Sequence, residues 1–169
     1  RSCLVSWGSE MCIRDRAKGA ATMLTPGIFA AYQEGADALA QHANVATLGR
    51  GEASKPAANA AGAVVFGTQA DRFLASHELE AEVFGPASLV VACKDLAQMQ
   101  AVAEHLEGQL TATLFVDDAD VAPARALLPV LERKAGRILA NGYPTGVEVS
   151  HAMAVSYTHL RAHETRHDL

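Results

Sequence analysis

The chain has 169 residues, half of them hydrophobic, and 14 Lys and Arg against 19 Asp and Glu leave a formal charge of −5. That balance argues against nucleic acid or an anionic membrane as a partner, and no basic cluster with interleaved aromatics appears. No run of about 18 apolar residues could span a bilayer, and the N-terminus lacks a secretory h-region.

The first predicted element is a helix capped by Thr25, with Pro26 at its first position and Phe29, Tyr32, Ala36, Leu39 and Ala40 at helical spacing. Val45–Leu48 reads as a weak strand, followed by a small-residue loop through Gly62. A strand over Ala63–Phe66 and a short helix over Asp71–Ala75 come next. The apolar run Leu89–Ala92 suits a strand buried on both faces of a parallel sheet. Asp95 then caps a helix carrying Leu96, Met99, Ala103 and Leu106, ended by Gly108. Leu114–Val116 is the next strand, and Asp120 opens a helix carrying Val121, Leu127, Leu128 and Leu131, with Pro129 placed to kink it. Arg137–Ala140 is the last strand and runs into the loop Asn141–Gly146. Alternating strands and helices predict an α/β fold with a largely parallel sheet and crossover helices.

The two ends have a different origin. Met11–Arg16 can be encoded as ATG TGT ATA AGA GAC AG, whose reverse complement encodes the end of Ala154 and then Val155–His159. The complementarity extends outward through Gly8–Glu10 and Leu160–Ala162. Two termini that are reverse complements of one DNA sequence resemble a transposon-based sequencing adapter read through as protein. The expected organisation is therefore a non-native tail over residues 1–16, a native segment over 17–153 and a second tail over 154–169. The native segment holds nine basic and fifteen acidic residues, a net charge of −6. Its one thiol, Cys93, sits in an apolar strand and reads as a buried small hydrophobe, which fits a cytoplasmic protein without a disulfide framework.

The segment His77–Pro86, HELEAEVFGP, is the most informative stretch. It reads as an acidic approach, a Glu-Val-Phe strand end and a Gly-Pro stop, which puts Glu82 and Phe84 on one face at a sheet rim. A carboxylate there can accept from paired ribose hydroxyls, and a ring beside it offers a flat surface to a nicotinamide. The plain alternative is a solvated Glu and a core Phe.

Glu82-Val83-Phe84-Gly85-Pro86 resembles the EEVFGP signature of the aldehyde dehydrogenase superfamily. The runs TQADRFLASHELEAEVFGP, ASLVVACKDL, GQLTATLF and GRILANGYPTGVEVSHAM follow in that family's order. Gly136–Met153 and the early TPGIFAAYQEGADAL are similar to the branch oxidising 2-oxoglutarate semialdehyde. The resemblance implies a C-terminal part of a catalytic domain, with Glu82 holding the nicotinamide ribose and Phe84 packing near the nicotinamide. It implies NADP or NAD as cofactor, a small aldehyde as substrate and a homo-oligomeric parent. It puts Tyr143, Thr145 and Val147 in the loop lining the aldehyde pocket. The catalytic Cys and Glu of the family lie upstream of the signature by more than this chain contains, so the chain is expected to be inactive. A non-catalytic α/β binding module is the second expectation.

Other motifs weigh less. His163-Glu164-Thr165-Arg166-His167 matches the HExxH zinc pattern, but its residues follow from adapter codons. Gly49-Arg50-Gly51 lacks the third glycine of a dinucleotide loop and reads as a flexible turn. Asp117-Asp118-Ala119-Asp120 reads as a capped strand-to-helix turn rather than a metal site. Glu148 and His151 read as solvated loop residues.

Overall fold

The computed structural model describes residues 3–7, 21–51 and 58–142. They fall into two compact units, residues 1–99 and 100–169.

In the first unit, the two-residue strands β2 (Ala21–Thr22) and β4 (Ala60–Ala61) pair antiparallel beside helix α1 (Pro26–Gln41). Thr25 caps α1 as predicted, its hydroxyl accepting from the Ile28 amide at 3.2 Å. A four-stranded sheet runs in the order β1 (Cys3–Trp7), β6 (Ala87–Cys93), β5 (Val64–Gln69), β3 (Ala46–Arg50). β5 and β6 are parallel, joined through the short helix α2 (Ala70–Leu74) and a 3-10 turn at His77–Glu80. β1 and β3 add to the two sides antiparallel. β1 comes from residues assigned above to the non-native tail.

The parallel register Phe66↔Leu89 and Thr68↔Val91 sets Val64, Phe66, Thr68, Ala87, Leu89, Val91 and Cys93 on one face, and all seven are buried. Phe73 of α2 and Tyr32 and Ala36 of α1 are buried too, and both helices contact β5. The expectation that Leu89–Ala92 is buried on both faces is corrected. Val90 and Ala92 point to the other face and are half-buried, where the Leu48 side chain leans over Gly67. Gly49-Arg50-Gly51 is not a turn either. Leu48 is the extra residue of a β-bulge between Thr47↔Phe66 and Gly49↔Val65, and the reset register lets Gly49 and Arg50 continue the ladder.

Helix α3 (Leu96–His105) starts at the end of β6. Asp95 Oδ1 accepts from the Gln98 amide at 2.8 Å, the cap expected of it. Gln98 accepts from the Lys94 amide at 2.8 Å and donates to Asp71 Oδ1 at 2.6 Å, so one buried amide ties β6, α3 and α2 together.

The second unit is a strand–helix–strand crossover. β7 (Gln109–Leu114) and β8 (Ala135–Ala140) are parallel, with α4 (Val121–Lys134) between them. Leu127 and Val130 are the buried residues of α4, while Leu128 and Leu131 are half-buried and Val121 is exposed. The helix runs through the exposed Pro129. The predicted strand Leu114–Val116 lies too far along the chain: the ladder runs from Gln109↔Ala135 to Leu114↔Ala140, and Val116 finds a side-chain partner instead. Asp117–Asp120 is a capping turn as expected, with Asp117 accepting from the Asp118 amide at 2.8 Å. The α/β class predicted from the sequence therefore stands, with parallel crossovers at β5–β6 and β7–β8, but the largely parallel sheet is corrected: among the described residues β1–β6, β3–β5 and β2–β4 pair antiparallel.

Candidate functional site

Glu82 and Phe84 lie in an extended loop before β6, not at the end of a strand. The correction has a physical cause. Glycine at position 85 has φ 154, a backbone region that side chains rarely adopt, and Pro86 has no amide to donate, so the ladder starts only at Ala87. The loop is nonetheless held. The Val64 amide donates to the Pro86 carbonyl at 2.9 Å and the Ala87 amide to the Gly85 carbonyl at 2.8 Å.

An extended backbone alternates its side chains, and over Glu82–Phe84 the exposure alternates as well. Val83 is half-buried, while Glu82 is exposed and Phe84 is 67% exposed. Phe84 is therefore not the core residue that the plain alternative made it. Glu82 and Phe84 are thus both exposed, on either side of the half-buried Val83.

The approach to the loop is tied to the end of α1. The His42 ring Nδ1 accepts from the Asn44 amide at 3.2 Å, which makes Nε2 the donor to Glu78 Oε2 at 3.2 Å. Asn44 in turn donates to Ser76 Oγ at 3.4 Å and accepts from Thr68 Oγ1 at 2.7 Å. Leu79, between the acidic residues of the 3-10 turn, is buried and anchors it. A shallow cavity of about 430 Å³, lined by Asn44, Leu48, Gly67, Arg72 and Val90, opens on the half-buried sheet face.

In the second unit, the ends of β7 and β8 are clasped by Asn141. Its side chain accepts from the Val116 amide at 2.8 Å and donates to the Val116 carbonyl at 3.0 Å, while its own amide donates to the Leu114 carbonyl at 2.9 Å. Asn141 has φ 51, a left-handed turn that asparagine tolerates. This is the carboxyl end of a parallel pair, where loops of α/β proteins gather their ligands. Tyr143, Thr145 and Val147, which follow in the sequence, lie outside the described residues, as do Glu148, His151 and the HExxH residues.

Cys93 is buried within β6, as expected from its apolar setting. Three residues, two in the first unit and one in the second, have roles that the sequence does not reveal. Tyr32 was legible only as helix core, although a buried Tyr hydroxyl needs a partner, here the Gly62 carbonyl at 2.5 Å. Gly35 inside a helix was a signal of close packing. Asn141 stood in a turn with nothing to show its reach.

No protein-family model matches the chain. Over 136 residues it is 54% identical to alpha-ketoglutaric semialdehyde dehydrogenase 2 of Azospirillum brasilense, covering 80% of this chain and 26% of that protein. It is 42% identical over 131 residues to alpha-ketoglutaric semialdehyde dehydrogenase of Acinetobacter baylyi, covering 78% of this chain and 25% of that protein. In fold it matches the Delta-pyrroline-5-carboxylate dehydrogenase of Mycobacterium tuberculosis, with a TM-score of 0.62 at 20% identity over 76% of this chain and 23% of that one. The same enzyme bound with NAD gives 0.59 at 20% identity, with 76% and 22% covered. The resemblance to the aldehyde dehydrogenase superfamily is thereby borne out, and the chain is partial: it spans about a quarter of the length of the curated relatives it matches.

Proposed function

We propose that this chain is a segment of an NAD(P)-dependent aldehyde dehydrogenase that oxidises 2-oxoglutarate semialdehyde to the carboxylic acid, with Glu82 and Phe84 contributing to the nicotinamide riboside site. The observation that carries this reading is the exposed Glu82–Phe84 pair on a pinned loop, in a chain so similar to two semialdehyde dehydrogenases. The chemistry of the donor set fits the group. An exposed carboxylate accepts from vicinal ribose hydroxyls, and an exposed ring gives the base a surface to rest against. The nicotinamide, when bound, supplies the hydride acceptor.

Tyr143, Thr145 and Val147 complete the reading as the aldehyde-pocket loop, launched by Asn141. The nucleophilic Cys and the general-base Glu are assigned to the part of the parent outside this segment. Cys93 is not the nucleophile: burial within β6 disfavours the thiolate that attack requires. The native part is taken as residues 17–153. Among the described residues no helix is long and apolar enough to cross a membrane. A cytoplasmic, homo-oligomeric parent belongs to the same proposal.

Two measurements test it. The 169-residue chain, given 2,5-dioxopentanoate with NAD+ or NADP+, should form no NAD(P)H, whereas the parent expressed from the extended reading frame should. In that parent, Glu82→Gln should raise the KM for the cofactor about tenfold, the worth of a hydrogen bond to a charged group, and change the aldehyde KM little. Turnover by the 169-residue chain, or an unchanged cofactor KM in the variant, would overturn the assignment.

A further inference from the structure

We infer that helix α1 is a brace that sets which face the Glu82–Phe84 segment presents, with Tyr32 and Gly35 as its positioning residues; the inference rests on the function proposed above. Tyr32 and Gly35 stand three residues apart and so share one face of α1. They meet the side of the signature loop that carries Val83 and Gly85.

Each contact is a close fit. A Cβ built at Gly35 would lie 3.1 Å from both Val83 methyls, so glycine is what lets the valine seat against the helix. A Cβ at Gly85 would collide with the Tyr32 ring, so the ring lies directly on that backbone. Tyr32 is 5% exposed and its hydroxyl donates to the Gly62 carbonyl, next to the strand whose Val64 amide holds Pro86. Helix, ring and strand therefore fix the odd-numbered side of the loop. Val83 is the half-buried residue between exposed Glu82 and Phe84, so holding its methyls against Gly35 leaves Glu82 and Phe84 outward. The brace acts by holding the side chains assigned above to the cofactor.

The test uses the full 169-residue chain in solution NMR, with nicotinamide mononucleotide as probe, and compares wild type with Gly35→Val, Tyr32→Ala and Tyr32→Phe. A soluble paramagnetic agent reports which side chains face water. In the wild type the Phe84 ring should be strongly relaxed and the Val83 methyls protected, and the mononucleotide should shift the Glu82–Phe84 amides saturably. Gly35→Val should expose the Val83 methyls and weaken the mononucleotide about tenfold. Adding Val83→Ala to that variant should restore the affinity to within about twofold, since it removes the methyls that the new side chain displaces. Tyr32→Phe should keep the wild-type pattern, because the ring and not the hydroxyl meets Gly85.

If Gly35→Val leaves Val83 protected and the mononucleotide shifts unchanged, the brace is refuted. Failure of the Val83→Ala rescue also refutes it. If Tyr32→Ala unfolds, the Gly35 and Val83 variants still decide. A wild type that shows the protection pattern but no mononucleotide shift would overturn the ribose-site proposal while leaving the brace to the relaxation data alone.

Discussion

Replacing Gly85 by alanine adds one methyl group and removes two things that the loop depends on. At φ 154 a side chain is strained, at a cost of about 1–3 kcal/mol for a residue forced into a sparsely populated region. The new Cβ also collides with the ring of Tyr32, and overpacking of this kind costs about 1–3 kcal/mol when the neighbour is confined. The ring is confined, being buried with its hydroxyl bonded to the Gly62 carbonyl. Gly85→Ala is therefore expected to destabilise the first unit by roughly 4 kcal/mol, near the upper end for single substitutions. The readout is hydrogen exchange at the Val64 amide, which donates to the Pro86 carbonyl next to the substitution. Its exchange should accelerate about a thousandfold if it opens with the unit. In a Tyr32→Leu background the same substitution should cost only the backbone strain, and the difference isolates the collision. Gly142→Ala serves as control, since among the described residues its Cβ would meet only the Ala140 carbonyl, at 3.8 Å, and should change stability by less than about 0.5 kcal/mol. Val64 exchange within about twofold of wild type in Gly85→Ala would refute both the backbone and the packing argument.

Two further predictions concern polar ties. Gln98→Leu leaves the Lys94 amide and Asp71 without the side chain that joins them, and should destabilise the first unit by about 1–3 kcal/mol in urea unfolding followed by circular dichroism; a neutral result would mean that water replaces the amide without loss. Asn141→Ala removes both side-chain bonds to Val116 and should cost about 1–2 kcal/mol, seen as faster exchange at the Val116 amide, whereas Asn141→Asp should keep the acceptor to that amide and lose only the donor.

Much of the fold was legible because period and capping speak locally. Thr25, Pro26 and the Phe29–Tyr32–Ala36 spacing located α1, and Asp95 located the start of α3. The strand–helix alternation yielded the two parallel crossovers. What failed depended on partners distant in sequence. Gly49 and Arg50 looked like a turn because a bulge at Leu48 cannot be seen without β5 beside it. Val116 looked like strand because its own composition favours one, yet the register set by β8 ends the ladder at Leu114. The signature is plain in the sequence but its backbone is not: period two suggests a strand, and Gly85 and Pro86 instead delay pairing to Ala87. Tyr32 and Gly35 act some fifty residues from the loop they touch, and only the folded chain reveals them.

The alternation of Glu82, Val83 and Phe84 makes length, more than composition, the constrained quantity in this segment. Leu79 is buried at one end and Ala87 enters the sheet at the other, so the number of residues between them sets the phase. Deleting or inserting a single residue there would turn the carboxylate and the ring toward α1 and the valine toward water. A library scanning this loop should therefore tolerate many side chains at positions 82 and 84 as far as folding goes, and almost no change in the count of residues that separates the two anchors.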